Sequence, residues 1–217
     1  MITTENEQAL EARATDRLIL FSDAVVAIAI TLLALELPVP GGRDVSEFWR
    51  SVREHDDHYL AFLISFFVIA ASWGQHHRVF RAVERVDQRL RMINMFWLLM
   101  IVLNPFATKL LTTEGHDSLA TQGLRFGFYA LLQVLANVAL LAMTRRMASP
   151  SLRTEGAPAP WATVGTEELY GVIIGFGLSI PVFFATSYGW VLWILGPSLA
   201  KRVHLPSRRG ERGLQDA

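Results

Sequence analysis

The apolar residues of this chain are gathered into blocks, and this grouping constrains the fold more than any other feature. A helix needs about 20 mostly apolar residues to cross the hydrocarbon core of a bilayer. Six blocks approach that length, at residues 17–37, 58–80, 92–112, 119–143, 165–185 and 188–203. The sequence therefore predicts an all-α membrane protein with six transmembrane helices.

The composition excludes several classes of function. Charged residues make up 18% of the 217 residues, below the share of about 25% that is typical of soluble proteins. The chain has no cysteine, which excludes disulfides, thiolate nucleophiles and cysteine-ligated metals. The formal net charge is zero, so nothing indicates nucleic acid as a partner.

The ends of the chain have a different composition from the blocks. Residues 1–14 carry Glu5, Glu7 and Glu11 rather than the basic start of a secretory signal. We expect residues 1–14 to be a disordered N-terminus and residues 205–217 a disordered tail. Residues 15–204 then form one six-helix transmembrane domain.

The basic residues predict how the helices are oriented. If the six blocks cross the membrane in alternating directions, fifteen Lys and Arg residues fall on one side, within residues 13–17, 78–91, 145–153 and 201–212. Five fall on the other side: Arg43, Arg50, Arg53, Lys109 and Arg125. Because cytoplasmic loops are enriched in Lys and Arg, we expect both termini in the cytoplasm of a multi-pass protein of the cell membrane.

A carboxylate, Asp23, lies inside the first apolar block, about one 5.4 Å helical turn from the cytoplasmic side. Antiparallel crossing brings polar residues of the second and third blocks to a similar depth. A buried carboxylate in a membrane must face the bundle and find donors. We interpret this layer as a packing clasp rather than a catalytic site; its members are Ser22, Asp23, Trp73, His76, His77 and Asn94.

The first block also has two faces. The small-residue face with Asp23, Ala27, Ile30 and Ala34 suits close helix packing. The second face consists of Phe21, Ala24, Ile28, Leu32 and Leu35, with Thr31 beside them. On periodicity alone, lipid contact or core packing is the favoured interpretation of that second face, rather than a pore lining.

Two motifs carry a resemblance to a known family. The first is R-L-I-L-F-S-D-A-V-V-A-I-A-I-T-L-L, from Arg17 onward, and the second is I-S-F-F-V-I-A-A-S-W-G-Q-H-H-R-V-F in the second block. With Asn94 and the N-P-F of residues 104–106, they resemble the bacterial relatives of transmembrane protein 175, a lysosomal potassium channel. The resemblance covers residues 17–112.

The resemblance implies a homotetrameric potassium channel whose pore is lined by the first helix of each copy. Ile28 matches the constricting position, Leu32 and Leu35 match apolar pore layers, and Thr31 matches a polar pore position. Arg17 and Phe21 belong to the motif that includes the clasp. The sequence lacks a T-V-G-Y-G filter. The implied partners are the lipid bilayer, potassium and other monovalent cations, with no cofactor and no bound metal.

Two polar segments outside the blocks have ordinary explanations. His55 and His58, within R-E-H-D-D-H, could bind a divalent ion, but we expect a solvated loop that caps the second helix. Residues 78–91 combine five arginines with helically spaced Val79, Val83 and Val86. We expect them to extend the second helix into the cytoplasm.

Other functional classes require features that this chain lacks or has only in part. A secondary transporter of small cations or protons is the main alternative, but it would place ionisable groups near the membrane midplane. An enzyme would need a convergent nucleophile, base or metal site, which we do not find. A purely structural membrane protein is the third alternative.

Overall fold

The computed structural model describes residues 2–81, 83, 85–113, 118–147, 149, 152, 166–186, 189, 191–193 and 195, with side chains from Leu10 onward. Within these ranges the chain forms six α-helices of ten or more residues, and residues 191–193 and 195 are also helical. The six are α1 (Ile2–Leu35), α2 (Val45–Glu54), α3 (Asp56–Phe80), α4 (Gln88–Leu111), α5 (Leu119–Met147) and α6 (Thr166–Ala185).

Five of these described helices are long and apolar enough to cross a membrane, α2 being the exception. This confirms the prediction of an all-α protein with several membrane-spanning helices. The sixth block falls largely outside the described residues, of which it contains only Gly189, residues 191–193 and Leu195.

Capping residues explain where two helices begin. Asp44 accepts hydrogen bonds from the amides of Ser46 and Glu47 at 2.8 and 2.9 Å, and Glu47 accepts one in return from the Arg43 amide. This reciprocal arrangement satisfies free amides at the start of α2. Asp87 caps α4 in the same way by accepting from the Leu90 amide at 2.8 Å.

The core is centred on α4, which packs against α5, α1 and α3. Its residues Leu90, Trp97 and Ile101 are completely or almost completely buried. Helix α5 in turn packs against α6. Because lipid tails are as apolar as leucine, polar contacts matter for holding such helices together.

One polar network lies between α3, α4 and α5. The Thr108 hydroxyl donates to Ser65 Oγ at 2.7 Å, and Ser65 in turn lies 3.1 Å from the Tyr129 hydroxyl. The Gln133 amide donates to Asn104 Oδ1 at 3.2 Å. All five side chains are buried. The network gives each of them at least one hydrogen bond, which lowers the cost of placing polar groups inside a membrane, while Asn104 Nδ2 has no partner among the described residues.

The structure corrects three sequence-based expectations. Helix α1 begins at Ile2, so the segment expected to be disordered is helical. Helix α3 ends at Phe80 and α4 begins at Gln88, so residues 78–91 do not extend the second helix. Residues 53–58 are not a loop: α2 ends at Glu54, α3 begins at Asp56, and the His55 side chain makes no capping hydrogen bond. The capping residue Asp87 starts a new helix within residues 78–91, despite the helical spacing of the valines there. The amphipathic helix α2 extends into the segment expected to be a loop before the second membrane helix.

Candidate functional site

Helix α1 packs against α3 and α4 through one narrow face. That face has a helical spacing of four, four, three and four residues and is buried; it consists of Leu18, Ser22, Val26, Ala29 and Leu33. The small-residue face that the sequence suggested for packing is only partly used within the chain: Asp23 and Ile30 are partly buried, whereas Ala27 and Ala34 are exposed. The face that contains Ser22 packs instead, since it brings Ser22 to a hydrogen-bonding partner on α4.

The opposite face of α1 is apolar and has no packing partner within the described chain. Ile28, Leu32 and Leu35 have exposed fractions of 58%, 44% and 80%. Phe21 and Ala24 continue the same face toward the N-terminus and are also exposed. At 1.5 Å per residue, Ile28 and Leu35 are separated by about 10 Å along the helix axis.

Thr31 is the polar residue beside this apolar face. Its side chain is exposed, and its hydroxyl donates to the Ile28 carbonyl at 2.8 Å. A hydroxyl carries one donor proton and two acceptor lone pairs. Because the proton is directed back to the helix, the oxygen keeps lone pairs that can accept a hydrogen bond or contact a cation.

A directed chain of hydrogen bonds connects α3, α4 and α1. His76 Nε2 lies 2.7 Å from Asn94 Oδ1, and Asn94 Nδ2 donates to Ser22 Oγ at 3.0 Å. The Ser22 hydroxyl donates its own hydrogen bond to the Leu18 carbonyl at 2.9 Å. A carbonyl oxygen can only accept, so His76 carries its proton on Nε2. All three side chains are buried, and the contacts hold α1 in one rotation.

Asp23 is held by a separate contact. Trp73 Nε1 on α3 donates to Asp23 Oδ1 at 2.8 Å. The carboxylate is half-buried and Trp73 is partly exposed, so this pair lies at the edge of the helix packing rather than in the core. The indole supplies the donor that a carboxylate in this position requires.

The remaining residues predicted for this layer do not join these hydrogen bonds. Arg17 and Phe21 are exposed, and Arg17 makes no ion pair or hydrogen bond with another described residue. The His77 ring lies 5.7 Å from the Trp73 ring, but its Nδ1 has no hydrogen-bond partner among the described residues. Adjacent residues on a helix point about 100° apart, so His76 and His77 cannot both face Asn94.

Two further residues of this layer were missed from the sequence. The ring of Trp97 stacks on that of His76 with centroids 4.2 Å apart, and Trp97 Nε1 donates to Ser72 Oγ at 3.1 Å. Ser72 precedes His76 by four positions and Trp97 follows Asn94 by three. That same-face spacing is the signal that could have identified them.

An ion pair lies directly after the C-terminal end of α1. Glu36 Oε2 lies 2.6 Å from Lys109 Nζ of α4. In the sequence, His55 and His58 are candidate ligands of a divalent ion. The described residues contain no group of three His, Asp or Glu side chains placed to hold a metal ion. The His55 ring instead lies with Nδ1 2.8 Å from the Ser51 carbonyl.

These features define a multi-pass helical membrane protein whose N-terminal helix is fixed by polar contacts on one face and presents an apolar face outward. Residues 17–105 match the family described as "Endosomal/lysosomal potassium channel TMEM175". The matched range contains the Phe21–Ser22–Asp23 motif, all of α3 and most of α4. It confirms the resemblance to this family that the motifs predicted.

Bacterial and animal proteins are similar to about half of the chain. A potassium channel of Streptomyces collinus is 34% identical over 123 residues, which is 57% of this chain and 59% of that protein. A potassium channel of Chamaesiphon minutus is 42% identical over 113 residues, 48% of this chain and 52% of that protein. The endosomal/lysosomal proton channel TMEM175 of Danio rerio is 26% identical over 108 residues, 49% of this chain and 21% of that protein. The chain thus spans a little over half the length of the bacterial relatives that it matches.

A solved structure extends the similarity beyond the N-terminal half. The chain matches the crystal structure of a lysosomal potassium-selective channel TMEM175 homologue from Chamaesiphon minutus with a TM-score of 0.68 and 26% identity. This match covers 88% of the present chain and 96% of that one.

Proposed function

We propose that this protein is a potassium-permeable cation channel whose pathway is lined by helix α1 of four identical copies. The bacterial relatives are potassium channels by name. The range that matches the family, residues 17–105, contains most of the apolar part of α1 and the hydrogen bonds that hold it. One α1 helix cannot enclose a pathway, so the proposal requires an assembly around a common axis.

The observation that carries this proposal is the division of α1 into an anchored face and an unpartnered apolar face. The hydrogen bond from Asn94 of α4 to Ser22 fixes the rotation of the helix. That rotation leaves Ile28, Leu32 and Leu35 exposed together. A fixed rotation keeps these three side chains on one side of the bundle, which a helix that lines a shared axis requires.

In the proposed pore, four Ile28 side chains form a dry neck. A narrow ring of apolar side chains excludes water and thereby blocks ions, and a small rotation or tilt of α1 would widen it. Leu32 and Leu35 form two further apolar layers. Thr31 supplies a hydroxyl oxygen beside them, which replaces part of the water around a permeating cation. Potassium is preferred because it loses its hydration water more readily than sodium does.

The wider arrangement is also part of the proposal. The sixth apolar block crosses the membrane after α6, and the excess of basic residues places both termini in the cytoplasm. The protein then resides in the cell membrane as a homotetramer. A crosslinking series that gives dimers, trimers and tetramers, but no larger species, tests the subunit number.

Reconstitution into liposomes tests the function directly. We expect potassium flux down its gradient, smaller sodium flux, and a higher potassium flux after Ile28→Asn because a polar neck stays wet. Leu124→Asn is a matched control, since Leu124 is an exposed apolar residue on α5 with no proposed pore role. An unchanged flux in Ile28→Asn, or an equal increase in Leu124→Asn, would reject Ile28 as the constriction.

The same assay distinguishes two other functions. The animal relatives are proton channels by name, so proton flux is measured in parallel with a pH-sensitive dye. Flux that saturates with substrate, or that depends on a counter-ion, would indicate a secondary transporter instead. Absence of any flux from a correctly assembled protein would contradict the channel proposal.

A further inference from the structure

A groove between α4 and α5 has no part in the proposed pore. Its volume is about 470 Å³. It lies where α4 begins and α5 ends, at the end of the bundle that carries most of the basic residues. Its walls combine arginines and Ser149 with four apolar side chains: Arg89, Arg145, Arg146, Ile93, Val138, Leu141 and Ala142.

The rim of the groove carries a net positive charge. Arg146 forms an ion pair with Asp87 at 2.5 Å, and Arg145 donates to the Tyr170 hydroxyl at 2.9 Å. Arg89 is exposed and makes no ion pair or hydrogen bond with another described side chain, although its charge also acts on the Asp87 carboxylate. Three guanidinium groups thus converge with one carboxylate, and the Arg145 bond to a neutral hydroxyl leaves its charge uncompensated.

The floor of the groove is apolar and lies deeper in the helix bundle. Ile93 is one turn beyond Arg89 along α4, while Leu141 and Val138 precede Arg145 by one and two turns along α5. At 1.5 Å per residue, these side chains lie about 6–10 Å inward from the arginines. Both stretches belong to helices long and apolar enough to cross a membrane.

We propose that this groove binds a phospholipid with an anionic headgroup, its phosphate at the three arginines and the start of one acyl chain over Ile93, Leu141 and Val138. Arginine is suited to phosphate because its planar guanidinium donates two parallel hydrogen bonds. Basic pockets between membrane helices are known to hold anionic headgroups in this way. Charge and depth select the ligand together. A soluble phosphate would leave the apolar floor uncovered, and a lipid of zero net charge would not offset the positive charge of Arg89 and Arg145.

Native mass spectrometry of the delipidated full chain in neutral detergent tests the proposal. The protein is titrated with phosphatidylglycerol, with phosphatidylcholine of the same acyl chains, and with glycerol 3-phosphate as the soluble headgroup. We expect preferential binding of phosphatidylglycerol and no competition from glycerol 3-phosphate. Arg89→Gln and Arg145→Gln should each weaken phosphatidylglycerol binding by about five-fold, the effect of one basic residue near an anionic lipid.

Two further variants separate the groove from general charge effects. Arg91→Gln removes the same charge from the same turn of α4, but it lies about 200° around the helix from Arg89 and should bind as the wild type does. Ala142→Phe fills the groove without a change of charge and should weaken phosphatidylglycerol binding. The proposal is overturned if Arg89→Gln binds as the wild type does, if Arg91→Gln loses as much affinity, or if glycerol 3-phosphate competes at equal concentration.

Discussion

The indole of Trp73 donates a hydrogen bond to the Asp23 carboxylate across 2.8 Å, and this contact joins α3 to α1. It explains why an apolar membrane helix retains a carboxylate. The preceding residue, Ser22, lies on the buried side of α1 and accepts a hydrogen bond from Asn94. Adjacent residues of α1 thus contact two different helices, so α1 can neither rotate nor slide without breaking one of the two contacts.

Loss of the Trp73 donor should loosen α1. We expect Trp73→Phe to lower the free energy of unfolding by about 1–2 kcal/mol, because a hydrogen bond to a charged acceptor is lost at a partly exposed site. Titration of the detergent-solubilised protein with sodium dodecyl sulfate measures this. Phe67→Leu, at an exposed position of the same helix, is the control and should be nearly neutral. Equal stabilities of wild type and Trp73→Phe would contradict the assigned contact.

Asn94 should be more sensitive to substitution than an ordinary buried asparagine. Asn94→Leu leaves both His76 Nε2 and Ser22 Oγ without their partner, at a cost of about 2–4 kcal/mol. Asn137 is the matched control, since it is also buried but donates to the Gln133 carbonyl of its own helix at 2.9 Å. We expect Asn137→Leu to cost less in the same unfolding titration. If the two substitutions cost the same, the chain from His76 to Ser22 does not hold the helices together.

Thr31 should influence ion preference if the proposed pore is correct. Its hydroxyl already donates to the Ile28 carbonyl, so the oxygen is oriented. We expect Thr31→Val to lower the ratio of potassium to sodium permeability and Thr31→Ser to preserve it, because serine keeps the oxygen. Reversal potentials under bi-ionic conditions measure the ratio. An unaltered ratio in Thr31→Val would exclude this hydroxyl from the selectivity mechanism.

The ion pair of Asp87 and Arg146 should make stability depend on pH. Burial alone would raise the pKa of Asp87, but hydrogen bonds from the Leu90 amide and the Arg146 guanidinium outweigh it and hold the pKa below 3.8. A carboxylate with a lowered pKa stabilises the fold at pH values above its unfolded-state pKa. That contribution is lost as the pH falls through the folded-state value.

We therefore expect Asp87→Asn to lower the melting temperature at neutral pH and to reduce the loss of stability that the wild type shows below about pH 4. Thermal unfolding across a pH series measures both effects. Glu54→Gln, at an exposed position, is the control and should follow the wild-type profile. A melting temperature of Asp87→Asn that matches the wild type at neutral pH would count against a stabilising ion pair.

Gly42 should be required for the turn before α2. Its φ is +145°, and a Cβ there would lie 2.5 Å from the Phe48 amide nitrogen. Gly42→Ala should therefore disrupt the start of α2 and speed hydrogen exchange of the Ser46 and Glu47 amides. Gly41→Ala is the matched control, because a Cβ at Gly41 has nothing within 4 Å. Slow exchange in both variants would show that the turn tolerates a side chain.

Much of the fold could be predicted from the sequence. The apolar blocks at 58–80, 92–112, 119–143 and 165–185 correspond closely to α3, α4, α5 and α6. The length of apolar sequence determines where a chain can cross a membrane, because each peptide group in hydrocarbon must be hydrogen-bonded within its own helix. The helical rise per residue, together with antiparallel crossing of the membrane, predicted that Ser22, Trp73, His76 and Asn94 lie at a similar depth.

The choice of faces could be decided only by the tertiary structure. The sequence favoured the small residues Ala27 and Ala34 for packing, yet α1 packs through Leu18, Ser22 and Val26. An α-helix offers several faces of similar hydrophobicity, and neighbouring helices are no more apolar than lipid. The face that packs is therefore the one whose polar group finds a partner on another helix, and such a partner is set by three-dimensional contacts between distant residues rather than by spacing along one helix.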